Sequence, residues 1–405
     1  MIVITYDDVE VEVEGDRWRD GDLWLPTEGL PSAIGWDVRP EGVCAGDTCV
    51  PLPPGATWWD EDSFNVSAFA RHIGLTEAAD PDRGIVAYVV PSGPAADLAG
   101  GPASVEAPDF TLPDLDGNLH SLSDHRGEKV VLLTWGSYCG CRFDLPGWQA
   151  MYRELHPQGF TVLAVAEDAG GAETTRPWIR PTDMDEQYPP PVRDLMGWSA
   201  EAWRGAGPPE YPCLIDQRHE VSRLYGMVNV PTAVWIDEEG RIVRPPEPAG
   251  VNEAFKRIDL ATFSLPADAV ESGTGHRDRY LAAVRDWVRR GADSPAVLPA
   301  DEVVRRMGRR ARWGDPARAA AEFRLGEALY RRKDPDAAQE HFGLAARLWP
   351  ENWAYQRQAR QLADPATVGE LDAGPEFWRS LEQRGEGSYY PPVDLPESLA
   401  GPETV

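Results

Sequence analysis

The 405-residue chain has no run of the roughly 20 apolar residues needed to cross a bilayer as a helix. Its opening stretch, MIVITYDDVEVEVEGD, carries neither a basic start nor an apolar segment of signal length. Positive charge is scarce: 39 Lys and Arg stand against 67 Asp and Glu, giving a net charge of −28. Such a surface repels phosphate backbones and anionic lipid, so neither nucleic acid nor membrane is expected as a partner. Histidine is rare and scattered, seven in all, with no HExxH cluster; His120, His125 and His219 read as surface loop residues. AGGAE after FTVLAV lacks the spacing and the lysine of a phosphate-binding loop. No metal site and no cofactor are therefore expected. Cysteine is sparse too, with five residues: Cys44 and Cys49, Cys139 and Cys141, and Cys213 alone. The expected location is cytoplasmic, where a structural disulfide framework does not persist and close cysteine pairs read as redox or metal groups.

Proline and glycine are abundant, 38 of each, and cut the chain into segments. PSGPAADLAGGPASVEAP, Pro91 to Pro108, reads as a linker. Before it, VEVEVEG and DLWLP look like strands, and LWLPTEGLPSAIGW and SFNVSAFARHIGL are weakly alike, each a strand followed by a helix ending in Ile-Gly. That duplication suggests a small α+β module, somewhat similar to the copper amine oxidase N-terminal-like domain. After the linker, KVVLLTW, FTVLAVAED, YPCLID, TAVWID and RIVRP read as strands alternating with helices, an α/β layer pattern. Ala169 to Glu210, with QYPPPVRD, reads as an irregular excursion. From Ala267 the pattern is helical, and Leu325, Gly326, Leu329, Ala338, Phe342, Ala345 and Pro350 stand at the offsets of one tetratricopeptide helix-turn-helix unit. The expected division is 1–104 for the N-terminal domain and linker, 105–263 for the α/β domain, 264–365 for a helical domain and 366–405 for an extended tail.

The chemistry concentrates in LTWGSYCGCRFDLP. A cysteine where a strand ends and a helix begins faces free backbone N–H groups and the positive end of the helix dipole. Both raise its thiolate fraction. Cys139 is thus the expected nucleophile, with Arg142 adding positive charge, and Cys141 the thiol that resolves a mixed disulfide formed on Cys139. Glycine between them lets both sulfurs turn to one side.

These residues carry a family resemblance. Ala107 to about Pro245 resembles the TlpA/ResA-type thioredoxin-like proteins of the AhpC/TSA redoxin group: APDFTLPDLDG matches their opening segment, WGSYCGCRFDLP their dithiol motif, and NVPTAVWID their cis-proline loop. The resemblance implies a thioredoxin-like fold in the middle of an α/β chain and thiol-disulfide oxidoreductase activity. It makes Cys139 and Cys141 catalytic, with Trp135, Tyr138, Val230, Pro231 and Thr232 facing substrate, Pro231 in cis and Val230 offering backbone groups to an incoming chain. The partners it implies are a protein or small-molecule disulfide and a thiol electron donor. Two departures stand out. Cys-X-X-Cys has become Cys-Gly-Cys, a smaller ring, and strain makes a disulfide more oxidising. Leu133 stands where thioredoxin has a buried acid, so protons must come from water or another group.

Alternatives remain at this point. Cys139 and Cys141 could be packed residues or metal ligands, although no histidine lies near in sequence to complete a tetrahedral set. Cys213 reads as a small buried hydrophobe. Cys44 and Cys49 could form a disulfide, half a metal site, two free thiols or a redox relay to the central pair. A thiol peroxidase is disfavoured because Leu132, Thr134 and Gly136 do not supply that chemistry's proline and hydroxyl. From another class comes a scaffold protein, with a degenerate thioredoxin-like platform and tetratricopeptide-like helices that capture a protein partner.

Overall fold

The computed structural model describes residues 2–6, 9–13, 18–54, 58–89, 105–189, 191–262, 264–308, 315–364, 366–385 and 389–399. Most of the expected linker lies outside them. The chain forms two compact units, each assembled from separated segments: one takes Met1–Ser92 and Ala311–Pro350, the other Gly101–Arg310 and Glu351–Val405.

The larger unit is built on a five-stranded sheet in the order Cys213–Asp216, Phe160–Glu167, Lys129–Trp135, Thr232–Ile236, Ile242–Pro248. The first three strands run parallel, and the last two are antiparallel to their neighbours. Lys129–Trp135 and Phe160–Glu167 are buried along their whole length, as expected of central strands covered on both faces. Alternation sorts their side chains. Val131, Leu133, Trp135, Val162, Ala164 and Ala166 enter one core; Val130, Leu132, Leu163 and Val165 enter the other. Helices Leu145–Leu155 and Ala267–Arg290 close the first face through Trp148, Met151, Tyr280, Val284 and Trp287, with Trp287 stacked on Trp235 at 5.1 Å. Glu220–Tyr225 and Ala300–Gly308 close the second through Val221, Tyr225, Val303 and Met307. The chain is α/β, with a thioredoxin-like arrangement at its centre.

Three sequence expectations change here. The helices placed in one domain, 264–365, divide between the units. Ala267–Arg290 and Ala300–Gly308 cover the α/β sheet with their apolar faces, whereas the hairpin Asp315–Arg331 and Pro335–Leu348 packs on strands Thr76–Asp80 and Ile85–Val89 of the smaller unit, burying Ala320 and Ala321 against Ala78 and Val89. The excursion before Cys213 is more regular than expected. It holds helices Ala172–Ile179, Met184–Gln187 and Pro191–Leu195, the last starting on a proline whose missing N–H costs nothing at a first helical position. Within 366–405, Pro375–Arg384 is a helix, and Phe377, Leu381 and Tyr389 are buried with Trp353 rather than extended into solvent.

In the smaller unit, strands Ile2–Tyr6, Val9–Val13, Thr76–Asp80 and Ile85–Val89 form one sheet. The two similar sequence segments become strand-helix pairs, Asp22–Pro26 with Leu30–Ile34 and Ser63–Asn65 with Val66–His72, whose strands pair with each other. Inside the helical hairpin the spacing noted in the sequence has a steric reason. A Cβ on Gly326 would lie 2.7 Å from the Phe342 ring, so the two helices approach at a residue without a side chain.

Candidate active site

Lys129–Trp135 ends at a short turn, and Cys139, in extended conformation (φ −110°, ψ 145°), caps the 3-10 helix Gly140–Asp144, which runs on into Leu145–Leu155. The Cys139 sulfur accepts a hydrogen bond from the Cys141 N–H at 3.3 Å. As a thiol it also donates to the Val230 carbonyl at 3.5 Å. Val230–Pro231 is a cis peptide, as the resemblance implied. The expected layout of thiol, helix entrance and proline loop is therefore present around Cys139.

The charge acting on the thiol comes from elsewhere than expected. Arg142 is turned to the Ser137 carbonyl at 2.8 Å and the Gly369 carbonyl at 3.1 Å, and lies 4.0 Å over the Trp178 ring. Burial lowers its own pKa to about 10. The cation that matters most is Arg357, on helix Trp353–Gln361, fully buried with Cys139. It donates to the Tyr138 carbonyl at 2.6 Å and the Tyr389 hydroxyl at 2.7 Å, and pairs with Asp372 at 3.3 Å. Burial alone pushes the Cys139 thiol up. The Cys141 thiol hydrogen bond, the Arg357 charge and the Cys141 N–H outweigh it and bring the pKa down to about 6. Cys141 moves the opposite way, well above an ordinary thiol, because it is buried and beside the Cys139 thiolate. One thiol is poised to attack and the other to keep its proton.

Buried acids surround the pair although Leu133 is not one. Asp144 accepts from Arg277 Nη2 at 2.8 Å and Trp198 Nε1 at 2.6 Å; burial raises its pKa against the pull of Arg277. Glu167, at the end of its strand, is pushed up to about 8 by burial, with His219 opposing. Asp168 receives the Ser137 N–H at 3.0 Å and is raised by burial as well. His219 is itself buried, 1% exposed, which corrects its reading as a surface residue; its ring lies edge-on to Tyr355 at 6.2 Å. His120 and His125 are partly buried, against Asp114 and Glu128.

Cys139 and Cys141 are 2% and 1% exposed and line an apolar cavity, a funnel that opens to solvent. The empty space of this funnel is about 910 Å³, part of it open to solvent. Phe143, Met196, Val251 and Phe255 line it on one side; Phe377, Trp378, Tyr389 and Tyr390 belong to the segment after Pro350. None of Trp135, Tyr138, Val230, Pro231 and Thr232 lines this cavity. All five are buried, packed in the core or beneath the loop, where they shape the site without offering surface. Val230 offers no free backbone group. Its N–H bonds Asn229 Oδ1 at 2.9 Å and its carbonyl accepts the Tyr390 hydroxyl at 3.0 Å.

Residues 103–244 match the AhpC/TSA family. That portion is a TlpA/ResA-like thioredoxin-fold domain. The thiol-disulfide oxidoreductase ResA of Geobacillus thermodenitrificans is 29% identical over 137 residues, covering 34% of this chain and 64% of the relative. ResA of Bacillus thuringiensis subsp. konkukian is 28% identical over 140 residues, covering 34% and 66%. The chain thus spans just under two thirds of these relatives. The exposed lipoprotein thioredoxin of Streptococcus pneumoniae aligns in structure at 25% identity over 35% of this chain and 89% of that one, TM-score 0.24. Both ResA relatives are named as thiol-disulfide oxidoreductases.

Three cysteines remain: Cys44, Cys49 and Cys213. Cys44 and Cys49 belong to the smaller unit, where they face each other across strands Gly42–Ala45 and Thr48–Val50 and are joined in a disulfide. Among the alternatives open in the sequence, that selects the bonded pair. Cys213 is buried in its strand, and burial pushes its thiol far up, as suits a packing residue.

The sequence reading missed Arg357, Asp372, Tyr389 and Tyr390. Arg357 contacts the site across 219 residues of chain, beyond any local spacing rule. The one available signal was SYYPP: paired tyrosines in a Pro- and Gly-rich tail are large apolar surfaces that favour a covered position.

Proposed function

We propose that this protein is a thiol-disulfide oxidoreductase working through the Cys139-Gly140-Cys141 dithiol. The Cys139 thiolate attacks a disulfide sulfur, forming a mixed disulfide and releasing one thiolate. Cys141 then attacks Cys139, forming the intramolecular disulfide and releasing the second; the protons of the two protein thiols end on the two leaving thiols. An external thiol donor returns the pair to the dithiol. The observation that carries this reading is the buried Cys139 sulfur held at a helix entrance between the Cys141 N–H and Arg357, an environment that favours thiolate over thiol. The location proposed is the cytoplasm. No observation in the structure favours the scaffold or the peroxidase reading; the helical hairpin that would capture a partner is itself packed against the smaller unit's sheet.

The test is alkylation of the reduced protein with peptide mapping, followed by equilibration in glutathione buffers. Cys139 is expected to react ahead of Cys141 near neutral pH, and the two to pair on oxidation. Equal alkylation rates remove the division of roles, and absence of a Cys139–Cys141 bond at every poise removes the dithiol mechanism.

A further inference from the structure

Resting on the exchange chemistry above, we propose that the disulfide this dithiol takes is a small apolar one, a compact dialkyl or aryl-alkyl disulfide, rather than a polypeptide or a charged peptide disulfide. Three observations lead there. The first is access: Cys139 and Cys141 are almost wholly buried and line the funnel. Attack on a disulfide runs along its S–S axis, so the bond must descend into the funnel, and a disulfide fixed on a protein surface is too broad at its Cα flanks to follow. The second is the proline loop. A polypeptide would add to the loop through backbone hydrogen bonds, yet both backbone groups of Val230 are already bonded within this chain, to Asn229 and Tyr390. Neighbouring bonds hold the Tyr390 segment in place: Tyr389 N–H to Glu253 Oε1 at 2.9 Å, Asn229 Nδ2 to the Tyr389 carbonyl at 2.8 Å, and Arg357 to the Tyr389 hydroxyl. An entering strand has to break them all.

The third is the lining. Met196, Val251, Phe255, Leu260, Leu265 and Phe377 present carbon, and Leu260 stands 53% exposed among them, apolar surface left bare on the funnel's wall. Charged lining groups are already engaged: Arg357 and Asp372 with each other, Asp194 with Arg193. A ligand carboxylate or ammonium would find no free counter-charge and would lose its water, a penalty that apolar groups escape. The funnel leaves about 110 Å³ open to a water-sized molecule, where a single water needs at least roughly 10–15 Å³. That suits a small molecule, and apolar lining with few polar groups is typical of small-molecule sites.

In the exchange, Cys139 S⁻ attacks R–S–S–R to give Cys139–S–S–R and RS⁻. Cys141 then displaces the second RS⁻, so that one apolar disulfide gains two electrons and two protons as the dithiol loses them. The reverse direction, oxidation of two apolar thiols by the protein disulfide, uses the same site.

The experiment mixes the full, pre-reduced chain, freed of reductant, with excess di-n-propyl disulfide, glutathione disulfide or insulin. Formation of the Cys139–Cys141 bond is followed by acid quench, alkylation and peptide mapping. Each rate is divided by that of the same disulfide with free 2-mercaptoethanol, which cancels intrinsic reactivity. The normalised rate for di-n-propyl disulfide is expected to exceed both others by about tenfold or more, the selectivity a hydrophobic pocket supplies. Leu260→Asp is expected to reduce the normalised rate for di-n-propyl disulfide several-fold, and an unchanged rate overturns the apolar-wall assignment. Equal or faster reaction with insulin or glutathione disulfide overturns the inference and leaves the exchange reading intact. If no disulfide oxidises the pair, the exchange reading itself falls, and this inference with it.

Discussion

Arg357→Met removes the guanidinium beside Cys139 and keeps an unbranched side chain in its place. An opposite charge at close range lowers a pKa by about 1–3 units. Taking about 2 units for this buried contact, the Cys139 thiol moves from about 6 to roughly 8, worth about 2.7 kcal/mol at about 1.36 kcal/mol per unit. Ionisation at pH 7 then falls from about nine-tenths to about one-tenth, but a more basic thiolate is the better nucleophile, by about eightfold for a Brønsted slope of about 0.45. The two effects nearly cancel at neutral pH. The informative signal is the shape of the profile: the variant reacts with iodoacetamide about tenfold more slowly near pH 5.5 and about eightfold faster above about pH 9, with the curves crossing near pH 7. Asp372 is not stranded, because Arg360 Nη2 still holds it at 2.8 Å, so the fold is expected to survive, which near-ultraviolet circular dichroism checks. A folded variant whose inflection coincides with that of the parent refutes the assignment of Arg357.

Glu167, pushed up to about 8 by burial, binds a proton in the folded chain that the unfolded chain gives up near its ordinary value of 4.5. Between those values the folded state holds more protons, so stability falls as pH rises through that window; urea midpoints should drop from pH 5.5 to 8, and Glu167→Gln should flatten the drop, whereas an unchanged slope rejects it. The Cys44–Cys49 bond bears on location, since disulfides seldom persist in a reducing cytosol. Thiol trapping in intact cells should find that pair reduced if the protein works in the cytoplasm, and a bonded pair there assigns it to an oxidising compartment.

Much of the central domain was readable because its signals are local. KVVLLTW and FTVLAVAE are apolar throughout, which only a strand covered on both faces tolerates, and Cys139 falls where a strand yields to a helix. Assignments failed where a residue's role depends on distant chain. Helical periodicity in Ala267–Arg290 and in Asp315–Arg331 states that each has a face to bury but not against which sheet, so two helices with different destinations were read as one domain. Arg142 looked like the activating cation because it is three residues from Cys139; the backbone turns it toward Ser137, and the working cation arrives from Trp353–Gln361. Tyr138 and Thr232 are substrate-facing in what the resemblance implies, yet both are buried.

The 219 residues between the Tyr138 carbonyl and Arg357 also set a clock. A ribosome adding roughly 5–20 residues per second needs roughly 10–40 s to make that stretch. Throughout that interval the emerging chain exposes Cys139 without the cation that acidifies it and without Tyr389 and Tyr390 to wall it in. The nascent thiol is accordingly the weaker acid and mostly protonated, and no wall selects among the disulfides that reach it. Its acidity is conferred late, by the same segment that builds the wall around it, so the ionised thiol and its selectivity arrive together.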